Sequence, residues 1–188
     1  MSKKYLKYKN ISNILENKLS DFGFTLKGLI NNRNGEWLLF IQIVIIFAHF
    51  LPNWPINLYR NKLINCIAII GIVVLARGTI LAFRALKDLG TNLTPLAEPI
   101  QDSKLITTNS YSYCRHPLYK SLILISLGIN LILLSITHLL LLICLLVLLK
   151  RKALWEENRL KIVHQSYLNY IKSVPAIMKG VYWLDWRQ

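Results

Sequence analysis

The chain has 188 residues, 54% of them hydrophobic, and a net charge of +14. That length bounds it to one domain, and its long, nearly uncharged apolar runs exclude an ordinary soluble protein. The basic excess would direct a soluble chain to nucleic acid, but Lys and Arg crowd the N-terminal segment and the tail after Lys150. Both flank apolar runs, where anionic headgroups of membrane lipids satisfy them, so no nucleic-acid partner is expected.

Three cysteines, Cys66, Cys114 and Cys144, are odd in number and widely spaced, which argues against a disulfide framework or a zinc site. They read as buried free thiols. No ligand cluster for any other metal is evident. The first 30 residues lack the early apolar core of a secretory signal, so targeting is expected to fall to the first span. Richness in Ile, Asn and Lys is a bias associated with low-GC bacterial genomes, which points to a bacterial inner membrane.

Residues 1–36 are polar and basic, with Ile11, Ile14, Leu15, Leu19 and Phe22 at helical spacing. An amphipathic helix on the cytoplasmic headgroups and a solvated leader both fit this segment. The membrane domain is expected over residues 37–188. Its first apolar run, Trp37 to Leu51, is about 15 residues, short of the usual ~20, with Trp54 and Tyr59 as interface anchors. Pro52 and Pro55 enforce a turn. A second span extends from Leu63 to Ala85 and contains Arg77 and Arg84 on roughly one face. Arg77 either snorkels to the interface or faces an anionic ligand in the bundle.

Residues 86–117 form one long connection, in which Thr94-Pro95, Glu98-Pro99 and Thr107-Thr108-Asn109-Ser110 predict a structured loop. Leu118–Ser135 and His138–Leu149 then form a helical hairpin turning at Ser135-Ile136-Thr137. The last helix is predicted to continue beyond the bilayer to Val163. Basic flanks place both termini in the cytoplasm, giving an all-α membrane protein of about four transmembrane helices. The long loop and the C-terminal helical segment therefore share the cytosolic face, where they would enclose a pocket.

At that face Arg115-His116-Pro117-Leu118-Tyr119 meets Lys150-Arg151-Lys152 and Glu156-Glu157. Taken singly, these residues have plain readings. Pro117 starts a helix with His116 at its cap, Glu156 and Glu157 pair with Arg151 and Lys152 along a helix surface, and Tyr167 and Tyr170 anchor at the interface. His49, His138 and His164 receive no chemical role. Taken in order, the polar groups at the ends of two adjacent apolar helices point to a ligand.

The segment from Leu105 to Tyr119 resembles the L-V-T-x-G-x-Y-x-x-x-R-H-P-x-Y signature of the isoprenylcysteine carboxyl methyltransferases and their phospholipid methyltransferase relatives. Glu156-Glu157-x-x-Leu160, Tyr167-x-x-Tyr170 and Val174-Pro175 resemble the family's C-terminal motif, so the similarity spans residues 86–180. Asn109 replaces the loop Gly and is the residue besides Gly most at ease with positive φ. Val163-His164 replaces Phe-Gly, and Lys152 replaces an Arg, losing bidentate recognition.

The resemblance implies an S-adenosyl-L-methionine-dependent methyltransferase. Carried over residue by residue, it implies cofactor binding by Ser103, Lys104, Leu105, Ile106, Tyr111, His116, Pro117, Leu118, Tyr119 and Glu156. It places Lys152, with Arg151 beside it, on the acceptor side as the catalytic cations. The chemistry suits those positions. Aromatic faces attract a sulfonium, a carboxylate suits an ammonium or ribose, and a fixed cation holds an anionic acceptor in line. The implied partner is a lipophilic small molecule or lipid-modified group, with a prenylcysteine carboxylate as the family's named acceptor. A phospholipid amine, a thiol or an isoprenoid acid on the same fold, and a non-catalytic membrane scaffold, are the alternatives.

Overall fold

The computed structural model describes residues 32, 35–54, 62–92 and 104–187. The regular structure of these residues is helical: α1 (Glu36–Ala48), α2 (Lys62–Leu89), a 3-10 turn (Gly90–Asn92), α3 (Ser110–Tyr113), α4 (Pro117–Leu133), α5 (Ile136–Val163) and α6 (Tyr167–Ser173). The expected N-terminal amphipathic segment lies outside the described residues, as do Pro55, Tyr59, Thr94-Pro95, Glu98-Pro99 and Ser103.

Among the described residues one helix, α2, is long and apolar enough over Leu63–Leu89 to cross a bilayer. Only 11% of its most apolar window is buried within the protein, so it is not the core helix of a soluble fold. Ile69, Ile72, Ile80 and Phe83 all face outward, an arrangement water would penalise and lipid would not. α1 and α4 are apolar but shorter. Helix α2 continues past Ala85, where the hydropathy pattern ends it, because Leu86 and Leu89 keep the apolar repeat until Gly90 stops it at φ 52°. Arg77 and Arg84 are both exposed on the outward face, so Arg77 does not face a ligand in the bundle. Cys66 and Cys144 are exposed on outward helix faces rather than buried, and Cys114 alone is buried.

The tightest helix contact joins α2 to α4. A Cβ on Gly128 would lie 2.7 Å from the Leu75 backbone N and 2.8 Å from the Gly71 carbonyl, and one on Gly78 would lie 2.9 Å from the Ile125 N. These glycines let two backbones approach as side chains would not allow. Helix α4 closes on Leu134, in the left-handed region at φ 46°. Ser135 Oγ then donates to the Trp54 carbonyl and accepts from its N–H. α1 is fastened to the hairpin by His49, whose Nε2 lies 2.7 Å from Ser126 Oγ and whose carbonyl accepts from His138 Nε2.

Because α4 has 17 residues and α5 has 28, the second half of α5 stands beyond the start of α4. Its seventeenth residue, Lys152, comes level with Pro117, and the turns that follow are free to meet the loop and the tail. The tail doubles back under this extension. Ala176, Ile177 and Leu184 pack against Leu145, Leu148 and Leu149 of α5 in one apolar cluster. Lys150 Nζ sits 4.3 Å from the centre of the Trp183 ring, a cation–π contact that pins the tail from outside.

Candidate functional site

The Arg115-His116 backbone enters the site already clamped. Arg115 N–H donates to the Pro175 carbonyl and His116 N–H to the Ala176 carbonyl, both at 2.9 Å. Pro117 then occupies the first turn of α4, where its missing N–H costs nothing. Upstream, the turn into α3 rests on Asn109 at φ 53°, the positive φ that its place at the signature's Gly predicts. Asp88 at the end of α2 holds this turn. Its carboxylate accepts from Asn109 Nδ2 and from the Ser110 backbone N–H.

Beneath lies a buried ionic core. Arg115 Nε donates to Glu157 Oε1 at 2.8 Å, with both side chains almost wholly inaccessible. His116 Nε2 donates to the same oxygen at 3.0 Å, and the Trp186 indole N–H donates to Glu157 Oε2 at 2.8 Å. Arg115 Nη1 also donates to the Ile171 and Val174 carbonyls. Burial alone would raise the Glu157 carboxyl, but the hydrogen bonds and charges of His116 and Arg115 outweigh it and bring it down to about 2. Glu157 is therefore a fixed anion, not the helix-surface partner of Arg151 and Lys152 that its spacing predicts. Tertiary partners decide between two adjacent carboxylates that helical spacing cannot separate.

Glu156 points the other way. Its Oε2 accepts from Tyr119 Oη at 2.9 Å and lies 3.6 Å from His116 Nδ1. The His116 and Tyr119 rings stack at 5.2 Å and 5°. With Nε2 committed to Glu157 and Nδ1 turned to Glu156, His116 orients Tyr119 and Glu156 rather than reaching a ligand's carboxylate itself.

These groups border a cavity of about 350 Å3, within the range of small-molecule sites. Of the residues carried over from the signature, Lys104, Leu105, Ile106 and Tyr111 of the loop line it. So do His116, Leu118 and Tyr119 of α4 and Lys152 and Glu156 of α5. Two are not brought in: Arg151 is exposed on the far side of α5 and Pro117 is buried behind the wall, while Ser103 lies outside the described residues. Arg151 is accordingly removed from the catalytic pair, since one residue along a helix turns the side chain by about 100°.

Arg115, Tyr167, Tyr170 and His164, to which sequence reasoning gave no cofactor-binding role, also line the cavity. Tyr167 and Tyr170 are buried rather than interfacial, and Tyr170 Oη donates to the Tyr111 carbonyl. Burial pushes the phenols of Tyr111, Tyr167 and Tyr170 well above their ordinary range, so all three stay neutral. The Tyr-x-x-Tyr spacing was the available signal, because it sets both rings on one face of a helix. Gln42 of α1 was missed. It is buried, lines the cavity and accepts from Lys152 Nζ at 2.8 Å. A polar residue in the middle of an apolar run was its signal.

The arrangement combines an anionic end at Glu156, a cationic end at Lys152 and apolar walls from Leu39, Ala82, Leu86 and Leu122. A search of curated proteins gives no match to the chain. The model of the phospholipid methyltransferase family matches residues 66–166, just over half of it. The matched stretch carries nearly all of α2, the loop, α3, α4 and α5, and with them most of the cavity wall. This chain thus belongs to the phospholipid methyltransferase family, integral membrane methyltransferases akin to the isoprenylcysteine carboxyl methyltransferases.

Proposed function

We propose that this chain is a four-span membrane enzyme that uses S-adenosyl-L-methionine to methylate a lipophilic acceptor at the cytosolic interface, in the manner of an isoprenylcysteine carboxyl O-methyltransferase. The membrane domain is residues 37–188, preceded by a basic cytoplasmic segment, and both termini are cytoplasmic. The outward apolar faces of α1, α2 and the first half of α5 and the basic flanks support that topology. Membership of a family whose methyltransferases generally use this cofactor supports its choice.

The observation that carries the reading is the cavity wall itself, where the Glu156 carboxylate, the Lys152 ammonium and the Tyr111 and Tyr119 rings surround one space. Its chemistry fits the cofactor. Glu156 is an acceptor for the cofactor's ammonium or ribose. Tyr111 and Tyr119 offer aromatic faces to a sulfonium. Lys104, Leu105 and Ile106 close the cytosolic side. Bound there, S-adenosyl-L-methionine supplies an electrophilic methyl group.

The residues' own work is then positional. Glu157, held from three sides, fixes His116, and His116 fixes Tyr119 and Glu156, so the binding groups are set before a ligand arrives. Leu39, Ala82, Leu86 and Leu122 keep water from the acceptor side and receive its apolar chain. Lys152 stands at that side as a fixed cation.

A second reading, methylation of a phospholipid amine, draws on the family's description. Transfer of label from methyl-labelled cofactor separates the two. Purified protein is incubated with a prenylcysteine acid and, separately, with phosphatidylethanolamine vesicles. Label in base-labile ester supports the proposal. Label in base-stable amine supports the second reading, and label in neither contradicts both.

A further inference from the structure

Lys152 does not stand alone at the acceptor side. Its Nζ donates to Gln42 Oε1 at 2.8 Å, and both residues are buried and line the cavity. An ammonium only donates, so the amide oxygen must face Lys152 and the Gln42 NH2 must point away from it. That NH2 donates to no group among the described residues. Gln42 thus brings an amide from α1 beside an ammonium at the cavity wall, which Leu39 and Leu122 also line.

We infer that Gln42 and Lys152 together form the head-group site for the acceptor, and that this site selects a carboxylate over an amine. The inference rests on the methyltransferase reading and deepens it by assigning to Gln42, beside Lys152, the choice of the acceptor's head group. Two donors side by side match the two oxygens of a carboxylate. Lys152 by itself lacks that two-point geometry, and Gln42 restores it. An ammonium placed there would meet Lys152 as a like charge where water offers little screening. The apolar walls next to the pair suit the chain of an amphiphilic acid. Gln42 precedes the family-matched residues 66–166, so this selectivity belongs to α1 and not to the matched domain.

The test is binding of an alkylthioacetic acid, its primary amide and the corresponding amine to the full chain in nonionic detergent, with no cofactor present. The acid should bind the wild type at least about tenfold tighter than the amide, the loss expected when a charge-assisted hydrogen bond goes. Gln42→Leu should remove about that factor for the acid and leave the amide unchanged. Gln42→Glu, nearly isosteric, should abolish acid binding and admit the amine. Equal affinity for acid and amide in the wild type, or an unchanged acid affinity in Gln42→Leu, overturns the inference. S-adenosyl-L-methionine binding is titrated on the same preparations. Retained cofactor binding in the variants shows that they are folded, so that lost acid affinity is read as loss of the clamp. Acid selectivity without cofactor binding in the wild type would sink the methyltransferase reading while the clamp stands.

Discussion

Arg115 and Glu157, 42 residues apart in the chain, meet at 2.8 Å with both side chains buried. This pair separates the roles of two neighbouring glutamates. Glu157 carries the architecture, because Arg115, His116 and Trp186 all converge on it. Glu156, partly accessible and turned to the cavity, carries the ligand side. Glu157→Ala should therefore lower stability by about 3–5 kcal/mol, the cost of stranding a buried charge. Glu156→Ala, losing one hydrogen bond from Tyr119, should cost about 1 kcal/mol. Thermal unfolding of both variants in detergent reads the difference, and equal losses would contradict the division.

Acid should weaken the fold through the same residue. The Glu157 carboxyl sits at about 2 in the folded protein against an ordinary 4.5. A lowered folded-state value means the stabilisation is complete above the unfolded value and lost as pH falls toward the folded one. Melting temperature should thus fall between about pH 4.5 and 2. Glu157→Gln should be less stable at neutral pH and show a shallower fall across that window. Parallel wild-type and variant curves would count against the assignment.

Trp186 closes the core from a tail that the matched family domain does not include. Trp186→Phe keeps an aromatic ring near His116 but deletes the indole donor to Glu157 Oε2. A hydrogen bond to a charged group contributes about 1.5–3 kcal/mol. The variant should lose about that much and show faster protease cleavage between residues 174 and 187. Unchanged cleavage would mean the apolar cluster alone holds the tail.

Helix α2 approaches α4 at glycine, so Gly128→Ala should act on packing. The added methyl would strike backbone atoms of Leu75 and Gly71, which cannot rotate away. The helices must separate, at about 1–3 kcal/mol, and the cavity wall at Ala82 and Leu86 should shift with them. A lowered melting temperature together with weaker ligand binding is expected. Full retention of both would show that the contact tolerates the methyl.

Much of this was legible where the signal is local. The Pro117 start, the apolar hairpin and the end of α5 at Val163 follow from periodicity and breakers, and Asn109 at positive φ follows from its place in the motif. What lay beyond reach is tertiary. Glu156 and Glu157 are neighbours on one helix, and only tertiary partners distinguish them, Tyr119 on the first and Arg115 and Trp186 on the second. The tail's pairing with Arg115 and His116 links residues some sixty apart through backbone atoms, which no side-chain pattern announces. Gln42 was visible as a lone polar residue in an apolar run, but its partner Lys152 lies 110 residues away.

The central claim is that the cavity bounded by Tyr111, Tyr119, Lys152 and Glu156 holds S-adenosyl-L-methionine. Equilibrium binding of the cofactor to the detergent-purified chain tests it most directly, with Glu156→Ala, Tyr119→Ala and the exposed Arg151→Ala alongside. Saturable binding should weaken about tenfold or more in the first two, from the lost carboxylate acceptor and the lost aromatic face, and stay at the wild-type level in Arg151→Ala. Absence of saturable binding in the wild type, or equal binding in all four proteins, would contradict the account.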